Sequence, residues 1–357
     1  MVVDQGLSDI SNALIYSAML VYTISFLSFA IDLAGRGKAA EQTAAEPEVA
    51  RMPVRVGAAG AEQSAAAPDS ATPPAGHASP AAAGSSAASA ASEVPARSDP
   101  PGRSRALGIA MSMTYLAFAL HLAGVVARGL SVDRAPWGNM YEFSISGTLV
   151  VTAVFLVVVV RRQELRFLGT FVIGPVLLSL GLATVVFYTE AAQLLPALKS
   201  FWLVIHVSVA FIASALFTLG FSLTVIQLVQ ERREKLRAKG ETLRRGAFMD
   251  ALPSTASLES SAYQLHAIAF PLWSFTLIAG AIWAEKAWSS YWSWDPKEVW
   301  SFVIWVVYAA YLHARATQGY QGRRAAYLAV AGFACLMFNY LGVNFLFVGF
   351  HGYAGVG

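Results

Sequence analysis

The stretch FWLVIHVSVAFIASALFTLGFSLTVIQLV, residues 201–229, contains no Asp, Glu, Lys or Arg. A bilayer core about 30 Å thick is crossed by about 20 apolar residues in a helix, so this stretch predicts a transmembrane helix. Working outward, comparable runs lie at about Ser11 to Leu33, Ala106 to Ala127, Glu142 to Val160, Phe167 to Tyr188, Ser261 to Glu285, Val299 to Ala314 and Ala325 to Phe350. The 357-residue chain is 56% hydrophobic and 13% charged, against about 25% charged in soluble domains. Alternating strand-length patterns of a membrane barrel are missing, and lipid admits only helices or closed barrels. The expectation is an all-α polytopic membrane protein with about eight transmembrane helices.

Three regions follow. Residues 1–34 hold the first span, which two acids precede, so it reads as an anchor rather than a leader with a basic start. Residues 35–104 are rich in Ala, Pro, Ser and Gly with almost no large apolar residues, the composition of a disordered cytoplasmic linker. His77 lies inside it and has no setting for ligation. Residues 105–357 form the main membrane domain, with a tryptophan-rich loop at 286–298. Net charge is +3, and the basic residues flank apolar spans, so nucleic-acid binding is not expected. The single cysteine, Cys335, can build neither a disulfide framework nor a zinc site, and no Cys-x-x-Cys-His is present for a covalent heme of the chain's own.

Basic residues assign the sides of the membrane. Arg36 and Lys38 with Arg103 and Arg105, then Arg161, Arg162 and Arg166, then Arg232 to Arg245, then Arg315, Arg323 and Arg324 mark four cytoplasmic segments. Eight spans then alternate without a violation, and both termini fall on the outer face. Arg128 and Arg134 are on the wrong side of this count. The outer face receives YWSWDPKEVW (291–300), the segment Pro136 to Glu142, the loop before Phe201 and the tail His351 to Tyr353.

His206 lies five residues into its span, about 7–8 Å below the outer boundary; His351 ends the last span. Both are expected at the level of the tryptophan loop. Two imidazoles beside a sheet of indoles suit a flat, apolar, iron-centred ligand such as heme. His313 is about 20 Å deeper, where an ionisable group is expected to face the bundle interior. His121 and His266 read as satisfied polar residues. Plainer readings stand beside these. Tryptophan belts also occur at membrane interfaces, and Asp295, Lys297 and Glu298 also suit the start of a helix. A metal-dependent lipid or sugar-phosphate enzyme using Asp295 and Glu298 is a weaker alternative, which leaves the histidines and indoles unexplained.

The run from Trp283 to Glu298, WAEKAWSSYWSWDPKE, resembles the tryptophan-rich "WWD" signature of heme-handling membrane proteins, and specifically the CcsA/ResC family of system II cytochrome c biogenesis. Asn139 to Glu142, Leu195 to His206, Tyr311 to Arg315 and Asn339 to Asn344 leading to His351 add to the resemblance, which covers about residues 106 to 353. It implies a subunit of a cytochrome c synthase in the bacterial plasma membrane that binds or translocates heme b. Heme would be presented outside the cytoplasm for thioether attachment to the Cys-x-x-Cys-His of apocytochrome c. It further implies that His206 and His351 are axial ligands of heme iron, that His313 ligates heme in transit, and that Trp288, Tyr291, Trp292, Trp294 and Asp295 hold the macrocycle. Implied partners are a CcsB/ResB-type membrane subunit, apocytochrome c and a thioredoxin-like reductant. One departure is Ser289 after Trp288, where the family usually has Gly, which is expected to alter the turn because Ser disfavours positive φ. A heme exporter or chaperone that forms no bond is the alternative.

Overall fold

The computed structural model describes residues 3–45, 104–192, 199–240, 246–317 and 319–351. Most of the expected linker, with His77 and Arg103, lies outside these residues, as do 195–198, Arg244, Arg245 and Tyr353. Among the described residues, eight helices are long and apolar enough to cross a membrane. They are built on α1 (Gln5–Ala45), α2 (Arg105–Val132), α3 (Met140–Arg161), α4 (Gly169–Val185), α5 (Phe201–Ala238), α6 (Thr255–Trp288), α7 (Pro296–Thr317) and α8 (Arg323–Met337), the fourth and eighth spans running over Gln163–Val185 and Arg323–Leu346. A 3-10 turn, Gln163–Leu168, leads into α4, and another, Ala247–Ala251, precedes α6. The protein is thus an all-α, multi-pass membrane protein.

Two boundaries differ from expectation. The first helix continues through Ala45 rather than ending near residue 34. The last span is broken: α8 stops at Met337, a π turn occupies Phe338–Gly342, and a short α9 (Val343–Leu346) gives way to extended chain at Phe347. The apolar pattern runs on through all of these segments, so hydropathy could not register the break.

The helix starts are set by polar caps. Ser104, Asn139, Ser200 and Ser254 each accept a backbone N–H from the first turn of α2, α3, α5 and α6, satisfying donors that lipid cannot. Between helices lipid provides little hydrophobic drive, so close packing and buried hydrogen bonds hold the bundle. Ser11 Oγ donates to the Gly124 carbonyl at 2.7 Å, and Ser25 Oγ lies 2.7 Å from Thr114 Oγ1, tying α1 to α2. α5 packs along α6, α3 sits against α4 and α5, and α8 against α7 and α5.

The basic clusters meet at one end of the bundle. There Arg36 pairs with Asp32, Arg233 with Asp250, Arg315 with Glu259 and Arg323 with Glu231. The opposite end holds the start of α1, whose Asp4 N–H donates to Ser131, together with the tryptophan loop and His351. Arg128 and Arg134 also sit at this end, and the structure explains why they broke the charge count. Arg128 and Glu142 are both fully buried and 3.1 Å apart, and Arg134 reaches the same carboxylate at 2.7 Å. These charges are neutralised inside the protein, and such residues do not act as topological signals.

Candidate functional site: paired imidazoles in an aromatic chamber

A cavity of about 610 Å³ opens among α3, α4, α5, α6 and α8, within the range of small-molecule and cofactor sites. Its mouth end is lined by Trp137, Trp283, Trp288, Tyr291 and Trp292 with His206 and His351, and it runs down α5 as far as Val225. From Leu203 to Val225 is roughly 33 Å of helix.

The loop between α6 and α7 builds the mouth. Ser289 closes α6 in the left-handed conformation, φ 57°, with its N–H on the Glu285 carbonyl. The turn therefore forms with serine where the expectation was an altered one; the helix-end hydrogen bond holds it. At the other side Asp295 and Glu298 form a reciprocal capping box around Pro296, the first residue of α7. Asp295 Oδ1 accepts the Lys297 N–H at 2.9 Å, and Glu298 Oε2 accepts the N–H groups of Asp295 and Ser293 at 3.3 and 2.8 Å.

Asp295 does more than cap. Its carboxylate, 4% exposed, accepts the His351 Nδ1–H at 2.9 Å on Oδ1 and the Phe350 N–H at 2.6 Å on Oδ2. The capping reading and the site reading of Asp295 both hold. Burial raises its pKa, but His351 and the two backbone N–H groups outweigh that and leave it below the usual 3.8. His206 Nδ1 donates to the Thr276 carbonyl at 2.9 Å. An oxygen acceptor on each Nδ1 fixes the tautomer, so the lone pair of each ring sits on Nε2. A histidine whose Nδ1–H is held by a carboxylate or carbonyl is the usual arrangement behind a metal-ligating Nε2.

The two rings contact one indole. His206 stacks on Trp283, centroids 6.0 Å apart and planes 14° from parallel. His351 meets Trp283 at 5.9 Å and Trp288 at 5.2 Å, both edge-on. Trp283 is buried, and among the described residues its indole N–H has no hydrogen-bond partner. Gly280 makes room for His206: a Cβ there would lie 2.7 Å from the imidazole Cε1. Paired Nε2 lone pairs and indole walls fit a flat iron macrocycle.

The sequence places His206 and His351 at the level of the tryptophan loop, and His206, His351, Trp288, Tyr291 and Trp292 all line the one cavity. Trp294 is not; φ 61° turns it outward and it is 76% exposed. Asp295 stands behind His351 rather than on the cavity wall. His313 is exposed on the surface of α7 and does not face the bundle interior as expected. α7 is apolar around much of its girth, so depth along the helix was countable but the face was not. His121 and His266 are both fully buried. His121 has Tyr22 Oη at 3.4 Å. Among the described residues neither ring nitrogen of His266 has a hydrogen-bond partner; it is held by the rings of Phe217, Tyr308 and Tyr311, which overturns the satisfied-polar reading. Asp295 and Glu298 are occupied by N–H donors, and among the described residues no group of three or more metal-ligating side chains forms. Trp283, the Thr276 carbonyl and Lys297 were missed as site elements, although Trp283 opens the quoted signature.

Fold and chamber together define a polytopic helical membrane protein that carries two metal-competent imidazoles beside a tryptophan loop. A model of the family described as "Cytochrome C assembly protein" matches residues 137–351, and the chain belongs to that family. It is 36% identical over 250 residues to cytochrome c biogenesis protein CcsA of Prochlorococcus marinus, covering 64% of this chain and 78% of the relative. The CcsA proteins of Synechococcus elongatus (35% over 292 residues, 70% of this chain and 87% of the relative) and Porphyra purpurea (33% over 270, 67% and 83%) are similar. Among solved structures, cytochrome c heme lyase CcmF shares the fold with a TM-score of 0.51 at 15% identity, over 67% of this chain and 41% of that longer one.

Proposed function

We propose that this protein is the heme-presenting subunit of a cytochrome c synthase, with the tryptophan-loop end on the outer face of a bacterial plasma membrane. The observation that carries the reading is the tautomer-fixed pair His206 and His351, both in ring contact with Trp283 at the cavity wall. Heme b is the substrate, and its iron and vinyl groups supply the chemistry. Each apocytochrome cysteine adds S–H across one vinyl group, sulfur to one carbon and hydrogen to its neighbour, without net electron transfer. The chain's own part is positional. His206 and His351 hold the iron through Nε2, Trp283 and Trp288 wall the ring, and the apolar cavity limits water. The protein contributes no thiol at this end, which fits a substrate that brings both.

His313 lies exposed on α7, so a heme held there takes its second ligand from another chain, which supports a CcsB/ResB-type companion. Apocytochrome c and its thioredoxin-like reductant complete the proposed set of partners.

The test is an absorption spectrum of the purified, partner-bound protein beside His206→Ala and His351→Ala. A low-spin bis-imidazole spectrum in the wild type, lost or altered in both variants, is expected. A wild type without such heme would overturn the reading. Incubation with an apocytochrome then separates a synthase, which yields covalent product, from a heme exporter, which does not.

A further inference from the structure

Lys297 lines the same cavity as the two histidines and is the only Lys or Arg among the described lining residues. Its Nζ makes one hydrogen bond, to the Asn339 carbonyl in the π turn, at 2.8 Å. An ammonium group carries three N–H donors, and no carboxylate among the described residues forms an ion pair with it. Of the two nearest in sequence, Asp295 acts on it through charge without reaching ion-pair distance, and both accept their hydrogen bonds from other donors. Asp295 is occupied by His351, the Phe350 N–H and the Lys297 backbone N–H. Glu298 is occupied by Ser293 and the Asp295 N–H. A half-buried cation with spare donors at a cavity wall is costly unless an anion completes it.

We propose that Lys297 binds a carboxylate of the macrocycle held by His206 and His351, and thereby selects which edge of the ring lies against α7. The inference rests on the heme reading above. Heme carries its two propionates on one edge and its two vinyl groups on the opposite edge. A cation fixed at the start of α7 by the Asn339 carbonyl holds the propionate edge there, and the vinyl edge is turned away from α7 for the incoming thiols. The two imidazoles alone cannot make this choice, because they see only the iron. Lys297 is thus a positioning residue for the edge that reacts.

The competing role is a structural staple between α7 and the π turn, and one experiment separates the two. The partner-bound protein, wild type and Lys297→Gln, is titrated with heme and with heme dimethyl ester, in which both propionate charges are removed. The glutamine keeps an N–H for Asn339 but no charge. The expected result is about tenfold or greater loss of heme affinity in Lys297→Gln, with ester affinity within about threefold of wild type and the bis-imidazole spectrum retained. Lys297→Arg should recover most of the heme affinity. The wild type alone should prefer heme to the ester by a similar factor, which keeps the test valid if the glutamine variant does not fold. Equal weakening toward both ligands, or no preference in the wild type, would overturn the assignment of Lys297 while leaving the histidine site standing. Absence of a bis-imidazole spectrum with either ligand in the wild type would overturn both.

Discussion

Replacing Asp295 with Asn isolates what one charge does for the site. The substitution keeps the size but only one acceptor oxygen: on the Oδ1 side it still accepts from His351 and the Lys297 N–H without charge assistance, while the amide NH2 on the other side cannot accept the Phe350 N–H, and that bond is lost. A hydrogen bond to a charged group contributes about 1.5–3 kcal/mol and a neutral one about 0.5–1.5. The difference at the His351 contact, about 1–1.5 kcal/mol, corresponds to roughly 5–13-fold in affinity. That agrees with the lower end of the 10–100-fold typical for partners standing behind metal ligands. Heme titration of the partner-bound protein should therefore show Asp295→Asn binding about tenfold more weakly. The bis-imidazole spectrum should persist, and the reduction potential should rise because the imidazole donates less electron density. Wild-type affinity with an unchanged potential would refute the orienting role of Asp295. The same carboxylate makes an acid prediction. Its pKa in the folded protein is depressed below 3.8, so its stabilisation of the tail is complete above that value and is lost as pH falls through the lower one. Fluorescence of Trp288, stacked on Phe350 at 5.2 Å, should report a docked tail at about pH 5 and release only as pH falls below 3.8; Asp295→Asn should lack that step.

Two further substitutions test neighbouring parts of the argument. Gly280→Ala places a Cβ 2.7 Å from His206 Cε1 and 2.9 Å from Nδ1; it should break the bond to Thr276 and abolish the bis-imidazole spectrum while the helical circular dichroism stays intact, and a normal spectrum would show that His206 is not held by α6. Glu142→Gln removes the only carboxylate in ion-pair contact with fully buried Arg128 among the described residues, a loss of about 3–5 kcal/mol to be read as a large drop in thermal stability in detergent, with heme affinity falling because the segment leading to Trp137 loses its anchor at Gly138.

How much of this was legible in sequence depended on which physical signal each feature leaves. Crossing a bilayer demands length and apolarity, so all eight spans could be read, and charge at their ends ordered them. His206, His351 and the tryptophan loop could be brought to one level by counting 1.5 Å per residue. Facing is different. In lipid the outside of a helix is as apolar as its inside, so the exposure of His313 and the outward turn of Trp294 left no mark in the pattern. Buried charge networks were invisible for a related reason. Arg128, Arg134 and Glu142 come from two helices and a connection, and only their meeting cancels the charge that sequence counting assigned to solvent. The π turn at Phe338–Gly342 hides in a run without charged residues, whose only polar breaks are Asn339 and Asn344, yet it supplies the Asn339 carbonyl on which Lys297 rests.

The concentration of aromatics in so short a connection then has a mechanical reason as well as a chemical one. The loop contains two non-glycine residues in the left-handed region, Ser289 and Trp294, each an unfavourable conformation that persists only where the surroundings enforce it. Enforcement comes from both ends: the last turn of α6 holds Ser289 through Glu285, and the Asp295–Glu298 box holds the entry to α7. A loop clamped in this way presents rings at fixed positions instead of letting them collapse onto one another. Trp288, Tyr291 and Trp292 line the cavity while Trp294 is directed to the surface, so one clamped segment carries both an inner aromatic wall and an outer aromatic face. Because Asp295 both starts α7 and holds His351, a disturbance of the outer face transmitted to the cap reaches the His351 ring directly. Under the proposed heme reading, that coupling would let an arriving protein loosen His351 while His206 stays fixed by Thr276 in the body of the bundle.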